Sequence, residues 1–167
     1  ADKVAQDIGE SARGFQCDVS DSDSVQDCVN AIVGYFGKLH VLINNAATKT
    51  KDPRVFFTPF EDYSLETWRE VMSVNIDGMF LVAQAVGRQF LEQGEGGAII
   101  QTSSIYGMVA PDPRIYEGSE YLGGAINTPA VYAASKSAVI GLTNWLATHW
   151  TDKADRMNCL VPGGVTS

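Results

Sequence analysis

Short apolar runs of strand character alternate with amphipathic helical segments along almost the whole chain, and that alternation limits the available folds more than any other feature. Residues 2–9 read as a helix stopped near Gly9, and "ARGFQCDV" as a short strand ending at Asp18. "SDSDSVQDCVNAIVGYFG" opens with Ser and Asp capping candidates and spaces Val25, Cys28, Val29, Ile32 and Phe36 along one helical face. "HVLINNA" is the next strand, followed by a polar, proline-containing loop over 48–63. A long helix then runs over 64–94, opened by a capping pattern at Ser64 and closed at Gly94. The strand "GAIIQTS", a loop over 104–127, a helix holding Tyr132, and the strand "MNCLV", ended by Pro162 and Gly163, complete the order. Strands and covering helices in this succession predict an α/β fold with a doubly wound parallel sheet, in a single domain.

Composition narrows the function classes. A net charge of -8 and a pI near 4.6 exclude a nucleic-acid partner, which needs a basic surface to displace counterions. No apolar run approaches the ~20 residues of a membrane span, and no charged-then-apolar leader pattern is present. The 3 cysteines, Cys17, Cys28 and Cys159, have no metal-ligand spacing and read as reduced thiols of a cytoplasmic protein.

Ligands of doubly wound sheets sit outside the carboxyl ends of the strands. The residues at those ends are Asp18; Asn44, Asn45, Ala46 and Ala47; Ser103 and Ser104; and Pro162, Gly163, Gly164 and Val165. All are polar or leave the backbone accessible. The helix after the last loop adds Tyr132 and Lys136, a turn apart with only Ala133, Ala134 and Ser135 between them. An ammonium so placed favours the ionised form of a phenol, by about 4 kcal/mol at ~4 Å and an effective dielectric of ~20.

"CDVSD", "NNAA", "VNIDG", "TSSIYG", "YAASK" and "VPGGV", in that order and over essentially the whole chain, resemble the short-chain dehydrogenase/reductase family in its non-extended branch. The resemblance implies a Rossmann-type domain binding NAD or NADP, with no choice between them. The implied reaction is hydride transfer between the nicotinamide and an alcohol or ketone. It also implies a proton-transfer set of Asn75, Ser104, Tyr132 and Lys136. In this pattern Tyr132 is general acid/base, Ser104 holds the reacting oxygen, Lys136 reaches the ribose, and the carbonyl of Asn75 holds a water linked to the lysine. The implied cofactor contacts fall on Asp18 and Val19 at the adenine, on Asn45, Ala46 and Ala47 along the ribose, on Tyr132 and Lys136, and on Pro162, Gly163 and Val165 by the nicotinamide. Ser103 reads as a strand-end serine and Asn44 as a residue pinning neighbouring strands. Family members form homodimers or homotetramers, so the same assembly is implied.

The sequence departs from the family pattern in instructive ways. No Gly-x-x-x-Gly-x-Gly turn precedes Asp18, so the chain reads as a central portion of a longer domain, with both ends of the fold outside it. Ala47 stands where glycine is usual, which requires a negative φ there, and Gln101 stands where asparagine is common. The span from Ser104 to Tyr132 is about twice the family's usual one. Its extra segment, "PDPRIYEGSEYLGGAIN", should overhang the substrate site. The segment carries Asp112, Arg114, Tyr116, Glu117, Glu120, Tyr121 and Asn127 and few aliphatics, which points to a polar, carbohydrate-like small-molecule substrate. A looser resemblance to bacterial members of surface-sugar and flagellin-glycan biosynthesis agrees. Two alternatives stand beside this reading: a sugar-nucleotide epimerase or dehydratase of the extended branch, and a non-catalytic nicotinamide-binding module.

Overall fold

The computed structural model describes residues 2–151 and 156–164. In chain order the elements are α1 (Asp2–Ile8), α2 (Ser22–Phe36), β1 (Val41–Asn44), α3 (Pro53–Phe56), α4 (Leu65–Met72), α5 (Met79–Gln93), β2 (Ala98–Thr102), β3 (Glu120–Tyr121), β4 (Gly124–Ala125), α6 (Ala130–His149) and β5 (Arg156–Leu160). Strands β1, β2 and β5 form a parallel sheet in that order, with Asn44 beside Gln101 and Gln101 beside Cys159. This is the predicted α/β architecture. No helix among the described residues is long and apolar enough to cross a membrane.

Local chemistry explains the helix boundaries. The Asp21 carboxylate accepts from the Ser24 amide at 2.7 Å and starts α2. The Ser64 hydroxyl accepts from the Thr67 amide at 3.1 Å and starts α4, while Gly94, in the left-handed region, ends α5. Val25 and Val29 of α2, Val86 and Phe90 of α5, Ile99 of β2, and Leu146 and Trp150 around the end of α6 make the main core. That core locks the helices against the strands and so fixes where the strand ends point.

Four expectations need correction. Residues 12–18 carry no regular secondary structure and pair with no strand among those described, so the segment does not count as a strand. The long helix is not uniform. Ser73–Gly78 forms a π-helical segment between α4 and α5, with Asn75 and Gly78 buried in it. The loop at 48–63 holds α3, whose first turn is capped by Asp52. The loop at 104–127 contains 3₁₀ turns at Ile105–Gly107 and Pro113–Tyr116 and the antiparallel pair β3–β4. Asp, Pro and Gly punctuation explains these short elements; apolar periodicity carries no signal for them.

Candidate active site

The chain leaving β2 is fastened to the start of the next strand-end loop before it turns. The Ser103 amide donates to the Leu160 carbonyl at 2.8 Å, and the Ile105 amide to the Pro162 carbonyl at 2.9 Å. The Ser103 hydroxyl crosses instead to α6, donating to the Lys136 carbonyl at 2.6 Å. Gly107 sits against the same spot, because a Cβ there would lie 2.7 Å from both the Lys136 carbonyl oxygen and Ser103 Oγ. The Ser137 hydroxyl closes the contact by donating to the Gly107 carbonyl at 2.8 Å. "TSSIYG" is thus a clamp that sets the register of α6 against the end of β2.

The clamp brings Ser104 and Tyr132 to one cleft of about 380 Å³. Ser104 is buried, and its Oγ accepts from the Tyr106 amide at 3.2 Å, which leaves the hydroxyl proton without a partner among the described residues. The Tyr132 hydroxyl likewise makes no hydrogen bond to another described residue. Lys136 lies one turn behind, 4% exposed, with Nζ 5.9 Å from the Tyr132 ring centroid. Its ammonium donates to the Thr102 carbonyl at 2.9 Å and keeps two further protons unused among the described residues. Burial pushes the Lys136 ammonium below the ordinary lysine value, partly offset by the nearby Cys159 sulfur.

Asn75 is fully buried, not solvent-facing as an isolated mid-helix asparagine would be. Its Oδ1 accepts from the Thr48 amide at 2.7 Å and its Nδ2 donates to the Thr48 carbonyl at 3.3 Å. The side chain is therefore spent on holding the exit from β1, one residue before Lys49 on the cleft wall. Asn44 ties β1 to a helix rather than to a neighbouring strand: its Nδ2 donates to the Met79 carbonyl at 2.9 Å.

The remaining positions border the sheet end in two places. Asn45, Ala46 and Ala47 are exposed after β1, and Ala47 has no positive φ, so the alanine is unstrained. Pro162 is half-buried, Gly163 and Gly164 line the cleft, and Val165 lies outside the described residues. Asp18 is exposed in a separate open groove beside Asp21 and Asp27. Hydrogen bonds from the Ser20 hydroxyl and amide, at 2.6 and 2.9 Å, hold the Asp18 carboxyl below the usual carboxylate range. Val19 packs on the π-helical segment, where a Cβ on Gly78 would come within 2.8 Å of its Cγ2. Sequence reasoning missed the roles of Ser103 and Gly107. The signal was the small residue and the extra hydroxyl within "TSSIYG", of which Ser103 reads as a strand-end serine and Gly107 is not singled out.

The short chain dehydrogenase family model matches residues 1–167. The chain belongs to that family. It is 35% identical over 150 residues to D-threitol dehydrogenase of Mycolicibacterium smegmatis, covering 90% of this chain and 49% of that protein. It is 32% identical over 156 residues to 2-dehydro-3-deoxy-D-gluconate 5-dehydrogenase of Dickeya dadantii, covering 93% and 53%. The crystal structure of a short chain dehydrogenase from Leptospira borgpetersenii with bound NAD+ superposes with a TM-score of 0.77 at 33% identity, over 92% of this chain and 54% of that one. The chain spans about half the length of the curated relatives it matches.

Proposed function

We propose that these residues are part of the catalytic domain of a longer NAD- or NADP-dependent dehydrogenase that interconverts a secondary alcohol and a ketone in a polar, carbohydrate-like molecule. The observation that carries the reading is the pair of hydroxyls whose protons are unused among the described residues, Ser104 and Tyr132, in one cleft with the Lys136 ammonium a turn behind. In this reading Ser104 donates its spare proton to the reacting oxygen, and Tyr132 takes the alcohol proton or returns it to the ketone. Asn75 acts as a positioning residue through Thr48, and Ser103 and Gly107 hold α6 in place.

The residues present fit the nicotinamide end of a dinucleotide. Two unused Lys136 protons suit ribose hydroxyls, and the open backbone at Gly163 and Gly164 admits a planar ring, since a Cβ at either would meet nothing within 4 Å. The exposed strand-end residues Asn45, Ala46 and Ala47, and Asp18 with Val19, would receive the adenosine side. The bound nicotinamide supplies the hydride donor or acceptor. Two relatives named for a tetritol and a deoxy-sugar acid support the substrate class. We place the assembly as a homodimer or homotetramer, on the partly exposed Phe80, Leu91 and Trp145 side chains of α5 and α6.

Product analysis with the full-length protein, threitol and oxidised dinucleotide tests this. The expected result is a ketose formed one-for-one with reduced nicotinamide. An epimerised or dehydrated product with no net nicotinamide reduction would overturn it.

A further inference from the structure

Three hydroxyls from three separate segments form a continuous string along the cleft wall. Tyr106, in the turn after β2, shares a hydrogen bond with Tyr116 at 2.9 Å, and Tyr116 shares another with Thr128, just before α6, at 2.6 Å. All three line the same cleft as Ser104 and Tyr132. Tyr116 belongs to the long segment between the two candidate catalytic hydroxyls, and that segment is anchored elsewhere too. The Asn127 amide donates to the Phe57 carbonyl at 2.9 Å, and the Tyr121 ring packs edge-on against Phe57 at 5.9 Å. The segment is therefore a built wall of the cleft. Its charged residues are not part of that wall: Asp112 and Arg114 pair with each other on the surface, and Glu117 and Glu120 are exposed.

Proton counting gives the string its chemistry. Three hydroxyls bring three protons, and the two bonds between them consume two. The third proton has no partner among the described residues, and either end of the string can present it as the hydroxyls rotate. A neutral string that donates at one end and accepts at the other matches another hydroxyl better than it matches a hydrocarbon. A hydrocarbon placed there would leave the spare proton unsatisfied.

We infer that Tyr116 is a specificity-determining residue: through the Tyr106–Tyr116–Thr128 string it binds a substrate hydroxyl remote from the reacting carbon, so the cleft selects a polyol over the matching simple alcohol. This rests on the proposed reading of the cleft as the substrate site. Of the three residues, Tyr116 is the one that the 111–127 segment contributes.

The test compares kcat/KM for threitol with that for butan-2-ol in the full-length enzyme. Wild type should prefer threitol, and Tyr116→Phe, which keeps the ring and removes the central hydroxyl, should cut that preference at least tenfold, mainly through KM for threitol. Tyr106→Phe, which leaves the Tyr116–Thr128 bond intact, should cut it less. A preference unchanged within twofold in Tyr116→Phe would overturn the inference. A second readout separates this result from failure of the proposed reaction. With tyrosine-labelled full-length protein, threitol titration should shift Tyr106 and Tyr116 resonances by NMR in wild type, and shift Tyr106 only at higher threitol concentration in Tyr116→Phe. If neither alcohol turns over but these shifts appear, the reaction is wrong and the subsite stands. If no shifts appear in wild type, the subsite is wrong.

Discussion

The Ser103 hydroxyl donates to the Lys136 carbonyl at 2.6 Å, so the residue following β2 and the helix bearing the candidate proton donor are directly bonded. Around this bond the backbone leaves no room. A Cβ on Gly107 would lie 2.7 Å from the same carbonyl oxygen.

Gly107→Ala should therefore force the Ile105–Gly107 turn away from α6. Overpacking of this kind costs about 1–3 kcal/mol, and the displacement separates Ser104 from Tyr132. The expected outcome is a urea midpoint lowered accordingly and kcat/KM reduced at least tenfold in the full-length enzyme. Ser103→Ala, which removes one buried hydrogen bond without adding bulk, should cost about 1 kcal/mol and less activity. Equal effects of the two variants would mean that the turn can shift without moving α6.

If the proposed role holds, Tyr132→Phe should abolish turnover while dinucleotide affinity stays within a few fold, since the lost hydroxyl anchors nothing else among the described residues. Lys136→Ala should damage both, because the same ammonium braces Thr102 and offers the two spare protons. Steady-state kinetics paired with calorimetric dinucleotide titration checks this. More than a few per cent residual rate in Tyr132→Phe would remove the phenol from the mechanism.

Burial of Lys136 also makes stability depend on pH. Its folded-state value lies below the ordinary 10.5, so between the two values the unfolded chain binds the proton and the folded chain does not. Stability contributed at this site must rise with pH across that window. Below the window the site carries the full penalty of a buried charge. The stability of wild type relative to Lys136→Met, from urea unfolding at a series of alkaline pH values, should therefore move in favour of wild type as pH climbs toward 10.5. A flat difference would show the ammonium to be as well solvated folded as unfolded.

Most of the architecture was legible because it is written in period and punctuation. Val25 and Val29 fall on the buried face of α2, Gly94 ends α5, and the parallel order of β1, β2 and β5 follows from strand–helix alternation. The site was legible where family motifs placed Ser104, Tyr132 and Lys136 at strand end and helix. What escaped depends on tertiary contact. Nothing in "SVNIDG" as a string marks a π-helical segment, in which Asn75 is buried against Thr48 and Gly78 against Val19. The Tyr106–Tyr116–Thr128 string joins residues whose approach is set by loop packing, on which periodicity is silent.

Gln101 is a second case that sequence undervalued. It is fully buried in β2, and neither its Oε1 nor its Nε2 has a hydrogen-bond partner among the described residues. An unpaired buried amide costs about 1–3 kcal/mol, so Gln101→Met, nearly the same volume, should raise the unfolding free energy by about 1 kcal/mol or more. Loss of stability in that variant would show that the amide is satisfied in solution.

The outer edge of β1 yields the last prediction. Among the described residues β1 pairs with β2 alone, and its Val41 and Ile43 side chains are 53% and 65% exposed. A flat apolar edge with free amides and carbonyls is a template for pairing with another chain. Cys17, Cys28 and Ile32 border an apolar groove that continues from the same edge, so the exposed apolar surface is wider than the strand itself. Expressed on its own, the 167-residue chain should associate in a concentration-dependent way, visible by light scattering at micromolar protein. Ile43→Lys, which places a charge on the edge without touching the β1–β2 ladder, should suppress that association and leave the far-UV circular dichroism unchanged. The same isolated chain should bind neither NAD nor NADP measurably by calorimetry, since its 167 residues contain no glycine-rich turn to hold a pyrophosphate. Association that persists in Ile43→Lys would move the contact to another face, with the exposed Trp145 of α6 the next to substitute. Micromolar dinucleotide binding would show that Lys136 and the strand-end residues suffice to hold the cofactor.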